Sequence, residues 1–154
     1  MTSTYNDLAD VSVGDNLTKE FINYLIHNID FLRNPPIYIY TRSTAGGDYT
    51  TTSAIMGDID GTNMSINFTS QGGPVLIALY GRADNAAFDL YVDGANLAAD
   101  TTGLGQGDAE SGICVQRILE LTAGVHTISA QWRAFTGTAT LYDNSYIQFV
   151  VREL

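Results

Sequence analysis

Side chains able to do chemistry are few in this sequence. His27 and His126 are the only histidines, and Cys114 is the only cysteine. Catalysis by side chains needs a nucleophile or base within hydrogen-bond reach of a partner that tunes it. No serine sits in a nucleophile-elbow pattern, and the two histidines do not share metal-ligand spacing. His126 falls on the apolar side of a strand pattern and reads as a hydrogen-bonded core histidine, while His27 lies on the polar flank of a helical pattern. Cys114, within Gly112-Ile-Cys-Val-Gln-Arg-Ile-Leu119, reads as a buried, inert thiol. Asp58-Ile-Asp-Gly61 and the pair Asp89 and Asp93 carry oxygens that suit calcium. No full calcium-loop spacing is present, so turn and solubility roles are expected of them. Gly103-Leu-Gly-Gln-Gly107 has the glycine spacing of a phosphate loop without the following helix and lysine, and reads as a flexible, exposed loop. No catalytic residue, metal site or cofactor is expected.

The aromatic side chains are the other lead. The chain has nine tyrosines. Tyr38 and Tyr40 share one face of a strand, and Tyr80 and Tyr91 fall opposite the apolar faces of theirs. Two readings fit: exposed rings that stack on sugar or meet a protein partner, or rings covered by a subunit interface or by the helix.

These residues must be positioned by one domain, since 154 residues bury about 70% of the unfolded surface as a single unit. A net charge of −10, with seven basic against 17 acidic residues, repels nucleic-acid phosphates and anionic membranes, so neither is an expected partner. A single cysteine excludes an intrachain disulfide. The amino terminus lacks the basic, apolar, small-residue progression of a secretory signal. No apolar run approaches the roughly 20 residues of a membrane helix.

Residues 1–16 read as a polar arm. A helix is predicted over 19–33, about 22 Å long, with Thr18 as N-cap, Leu17 and Ile22 as a hydrophobic staple, and Asn34-Pro35-Pro36 as its stop. Its apolar residues cover an arc of roughly 220° at about 100° per residue, wider than one sheet face needs. Ile22, Leu25, Ile29 and Leu32 follow coiled-coil spacing, with Asn28 interrupting the arc. The helix is read either as tucked between sheet and loop, or as lying at a homo-oligomer axis with Asn28 helping to set register.

Everything after the diproline reads as β. Val125 to Phe135 alternates over eleven residues, with His126, Ile128, Ala130, Trp132 and Ala134 on the apolar side. Thr136-Gly137 reads as a turn into Thr138–Tyr142, making a long hairpin at the centre of a sheet, with Trp132 as core anchor. Other predicted strands are Ile37–Arg42, Thr50–Asp58, Asn63–Thr69, Val75–Arg82, Ala86–Asp93, Ala95–Ala99, Gly112–Leu121 and Tyr146–Glu153. Val75–Tyr80 is apolar on both faces, as a central strand requires. Short strands at this spacing imply a mainly β protein, an antiparallel jelly-roll sandwich. Residues 101–111 read as a structureless loop. The expected contact loops are Gly46-Gly47-Asp48-Tyr49 and Leu104-Gly105-Gln106-Gly107.

Two segments carry a resemblance. Val13 to Pro36, with its Gly-Asp-Asn-Leu-Thr start, Asn-containing helix and closing Leu-Arg-Asn-Pro-Pro, resembles the opening of many phage and prophage virion structural proteins. Leu121 to Trp132, then Gly137-Thr-Ala-Thr-Leu141 and Phe149 to Leu154, resembles the end of the same proteins. The resemblance implies a tail-fibre, head-fibre or capsid-decoration role, often trimeric, with a tumour-necrosis-factor-like jelly roll. Residues 1–36 would then serve oligomerisation and attachment, and 37–154 would form the head of a non-enzymatic virion protein. Other virion proteins and a host-surface glycan or protein would be its partners. The reading from a different class is a carbohydrate-binding jelly-roll module.

Overall fold

The computed structural model describes residues 35–42, 46–98 and 103–154, with the scattered positions Lys19, Ile22, Asn23, Leu25, Ile26 and Ile29. Those scattered residues are helical and exposed, but no helix can be bounded among the described residues. Thr18, Asn28 and Leu32, with the rest of the helix predicted over 19–33, lie outside them.

Among the described residues twelve strands form two antiparallel six-stranded sheets. Sheet A holds β1 (Ile37–Arg42), β12 (Ile147–Glu153), β5 (Gly73–Asp84), β9 (Ser111–Leu121), β11 (Ala139–Leu141) and β2 (Tyr49–Thr51). Sheet B holds β3 (Gly57–Asp58), β4 (Ser65–Ser70), β10 (Gly124–Ala134), β6 (Ala86–Val92), β7 (Ala95–Asn96) and β8 (Gly105–Gly107). Pairing is nested: β1 with β12, β4 with β10, β5 with β9, and β6 with β8. A chain whose outer strands pair first-to-last, and so inward, while alternating between two sheets is a wound hairpin, the jelly roll expected from strand spacing.

The core lies between the sheets. Ile77, Leu79, Phe149 and Leu141 from sheet A meet Phe88, Leu90, Ile128 and Trp132 from sheet B. Trp132 is 4% exposed and stacks on Phe88, with centroids 6.1 Å apart. Its inward neighbours Ile128, Ala130 and Ala134 are buried too, as the period-two pattern requires. The strand predicted to be central, β5, lies between β9 on one side and β12 and β11 on the other. Glu153 closes the sandwich. Fully buried at the end of β12, it accepts hydrogen bonds from Ser70 Oγ (3.1 Å) and the Gln71 N–H (3.0 Å), so its carboxylate is not left unpaired.

Several expectations are corrected. β10 and β11 are not a hairpin: β10 pairs with β6 in sheet B, and β11 with β5 and β2 in sheet A. Thr136-Gly137 is instead a corner between sheets. Asn85, at positive φ in the matching β5–β6 corner, donates to the carbonyls of Thr136 and Thr138. The run predicted over Thr50–Asp58 is two short strands, one in each sheet. Between them Ser53 Oγ donates to Ile55 O and accepts from the Ile55 N–H, building a turn.

The glycine run 103–107 is not a structureless exposed loop either. Gly105, Gln106 and Gly107 pair with Phe88, Ala87 and Ala86 as β8, and Leu104 packs against the core. A Cβ on Gly107 would stand 2.7 Å from Ala83 Cβ, and one on Gly105 2.5 Å from Val115 Cγ2. The glycines are there for close approach of sheet to sheet.

Candidate functional site

The register fixes what each sheet turns outward, and the two outer faces differ in chemistry. On sheet A one row runs Ile39, Val150, Ala78, Gln116, and the next runs Ile37, Arg152, Leu76, Ile118. A third is Thr41, Gln148, Tyr80, Cys114. Ile37, Ile39 and Ile118 are 51%, 54% and 63% exposed on the two outer strands of this face, with half-buried Val150 and Leu76, buried Ala78 and exposed Arg152 between them. Exposed apolar side chains gathered on one face mark a candidate interaction site.

For Tyr38 and Tyr40 the structure differs from both expected placements, since the rings pack against the core of their own sandwich. Tyr38 and Tyr40 point inward and leave Ile37 and Ile39 in water. The Tyr38 hydroxyl donates to Asn63 O (2.7 Å), and its ring meets Phe149 edge-on. Tyr40 is within 3.3 Å of the Tyr49 hydroxyl. A half-buried tyrosine keeps its polar tip satisfied at the rim of the core, so these rings are not free to stack on a sugar. Cys114, expected to be buried, is exposed, because β9 is the edge strand and its even-numbered residues face out.

Sheet B turns out a polar face. Its rows are Ser65, Ser129, Tyr91, Asn96, then Asp58, Gln131, Asp89, then Arg133, Ala87, Gln106. Above it the turn of Ala54, Ile55 and Met56 raises a wall. Between wall and sheet lies an open cleft of about 450 Å³, lined by that wall with Asp89, Tyr91, Asn96 and Arg133. Asp89 is 1% exposed, and its Oδ1 accepts from the N–H groups of Leu90 (2.7 Å) and Ala98 (3.2 Å). Burial raises its pKa, and hydrogen bonds from Leu90, Ala98, Leu97 and Asn96 only partly offset this. Arg133 carries its guanidinium over the Phe135 ring, 5.4 Å from the centroid. Sequence reasoning placed Tyr91 on this outer face but missed the cleft. Its wall comes from a segment predicted as strand, and only the sheet-to-sheet crossing lifts that segment over β6.

Asp60, Asp93 and His126 are tied into the scaffold. Asp60 Oδ1 accepts from the N–H groups of Thr62 (2.9 Å) and Asn63 (3.0 Å), and Oδ2 from Asn63 Nδ2 (2.9 Å) and the Tyr49 hydroxyl. Partial burial alone would raise its pKa, yet these bonds prevail and bring it down to about 2. His126 is bonded at both ring nitrogens, Nδ1 to Asp93 Oδ2 (2.8 Å) and Nε2 to Thr122 O (2.9 Å), joining two turns. The hydrogen bond to Asp93 raises the His126 pKa, and the same contact lowers that of Asp93.

Of the expected contact loops, Gly46, Gly47 and Asp48 are exposed. The Gly47 N–H donates to Asp143 Oδ2 (2.7 Å), the Asp143 N–H to Asp48 Oδ1 (2.9 Å), and Arg42 to the carbonyls of Gly46 and Gly47. Tyr49 belongs to β2 and lies under Arg42, 4.0 Å from the ring centroid. Leu104 to Gly107 belong to sheet B, where 105–107 form β8.

No protein-family model and no curated protein matches the chain. Among solved structures, Eiger TNF from S. frugiperda is similar over 77% of this chain and 93% of its own length, at 13% identity and a TM-score of 0.43. The infectious bursal disease virus VP2 subviral particle is similar over 79% of this chain and 37% of its own, at 10% identity and a TM-score of 0.40. At that distance neither likeness carries an argument about function. The class rests on the strand order itself: this is an antiparallel jelly-roll β-sandwich.

Proposed function

We propose that this chain is a non-enzymatic structural component of a virion, a fibre or capsid-decoration appendage that assembles with copies of itself and presents its jelly-roll head. The assembly part is carried by one observation. A single copy leaves Ile37, Ile39 and Ile118 in water on sheet A, together with Ile22, Leu25, Ile26 and Ile29 before the diproline. At about 25 cal/mol per Å² of apolar surface removed from water, covering both is a substantial driving force for association. The virion part rests on the resemblance of residues 13–36, 121–132, 137–141 and 149–154 to phage virion proteins, which also favours a trimer. Action through surfaces, without turnover, suits a chain whose His126, Asp60 and Glu153 are each committed to holding turns together.

Sedimentation equilibrium of the whole chain at micromolar concentration tests the assembly. A mass of two or more copies is expected, and a monomer overturns the reading. Replacing Leu25 and Ile29 together with Asp should dissociate it, because unpaired charges would enter an apolar interface. Mass spectrometry of purified particles tests the virion part, where absence of the chain would overturn it.

A further inference from the structure

We infer that the cleft on the outer face of sheet B is a binding site for a neutral glycan. It is a different surface from the one proposed for assembly, and the inference stands or falls separately.

A volume of about 450 Å³ lies in the range of small-ligand sites. One wall is apolar (Ala54, Ile55, Met56), and the floor alternates an aromatic ring with planar polar groups (Tyr91, Asn96, Asp89, Arg133). A pyranose is built the same way, with apolar C–H faces and a rim of hydroxyls that both donate and accept. Asn96 gives one amide hydrogen to the buried Asp89 and keeps a second donor and an acceptor to offer a hydroxyl, with the Arg133 guanidinium lining the same cleft. Backbone N–H groups pin Asp89, so its geometry is set before a ligand arrives. Ile55, 78% exposed on the rim, has apolar surface for a sugar face to cover.

Other ligand classes fit worse. The cleft is open and half polar, whereas a lipid tail requires an enclosed apolar cavity. A phosphate or nucleotide would meet Asp89 and a chain of net charge −10. A cationic peptide would meet Arg133. No three His, Cys, Asp or Glu side chains that could hold a metal ion cluster among the described residues.

The test is a ¹⁵N-detected NMR titration of the whole chain with cellotriose, maltotriose and diacetylchitobiose. At least one should bind with Kd on the order of 0.1–1 mM, as expected of a shallow single site, and shift the amides of Ala54, Ile55, Met56 and Asn96. Tyr91→Ala should abolish these shifts, Tyr91→Phe should keep most of the affinity, and Asn96→Ala should weaken it about tenfold. Ile55→Asp, at an exposed position that leaves the core intact, should weaken it likewise. The inference is overturned if none of the three sugars shifts those amides, if the shifts map to sheet A, or if Tyr91→Ala binds as the parent does. Sedimentation of the same samples keeps a failure of the assembly reading distinguishable.

Discussion

The outer faces of the two sheets are built on the same alternation and end with opposite chemistry. Sheet A turns out Ile37, Ile39, Val150, Leu76 and Ile118 among the polar Arg152, Gln116 and Gln148, whereas sheet B turns out Ser65, Asp58, Gln131, Tyr91 and Asn96 with no large aliphatic side chain in those rows. Both inner faces feed one core, so folding by itself does not demand the difference. A sheet face that only needs solvation is satisfied by polar residues, as on sheet B. The exposed isoleucines on sheet A motivate the assembly proposal there, and the polar cleft on sheet B the ligand proposal. The chain also concentrates its rim hydrogen bonding differently. On sheet A, Tyr38 and Tyr49 turn inward to Asn63 and Asp60 while Tyr80 faces out beside Gln116, and on sheet B Tyr91 is left at the surface.

The shared core is where the comparison breaks outright. Trp132→Ala should cost about 3–5 kcal/mol in chemical denaturation and remove both surfaces at once. Next comes the face of sheet A alone. Ile39→Asp with Ile118→Asp should weaken self-association at least a hundredfold, about 2.7 kcal/mol, with the melting of the separated copies nearly unchanged. If the double variant sediments like the parent, the apolar rows are not the interface.

Edge strand β8 sharpens the other side. Gly107→Ala places a methyl against Ala83 and should cost about 1–3 kcal/mol without changing oligomeric mass. Deletion of residues 104–107 should therefore unfold the head, the opposite of what a free contact loop would do. The smallest effects are electrostatic. Asp60, held at about 2, contributes stability that is present above the ordinary carboxylate pKa and is lost as pH falls through about 2. Denaturation midpoints should drop over that acid range in the parent and stay flatter in Asp60→Asn. The His126–Asp93 pair adds a second pH window. The raised His126 pKa contributes stability that is lost as pH rises through it, and the lowered Asp93 pKa contributes stability that is lost as pH falls through it. The pair should therefore help most from about pH 4 to about pH 6. His126→Gln should remove that maximum, and an unchanged pH profile would show the pair to be idle.

Alternation in the sequence was enough to sort residues into sets. Trp132 had to share a face with His126, Ile128, Ala130 and Ala134, because successive side chains in a strand point opposite ways whatever surrounds them. The double-sided apolar run at Val75–Tyr80 likewise announced a central strand, and the rhythm of short strands and turns announced the sandwich. What alternation cannot state is which set faces in when both are large and apolar. For β1 the choice between Tyr38/Tyr40 and Ile37/Ile39 was made by distant partners, the carbonyl of Asn63 and the ring of Phe149, which satisfy a tyrosine and have nothing to offer an isoleucine's missing hydroxyl. The corner at Thr136-Gly137 reads locally like a hairpin turn, and only Asn85, 51 residues away, makes it a crossing between sheets. The strand at Gly105–Gly107 has no pattern of its own at all, since its glycines answer to Val115 and Ala83 across the sandwich. The cleft follows from the same cause: its wall and floor meet only because one short segment changes sheets, a choice set by long-range packing that no local run of residues encodes.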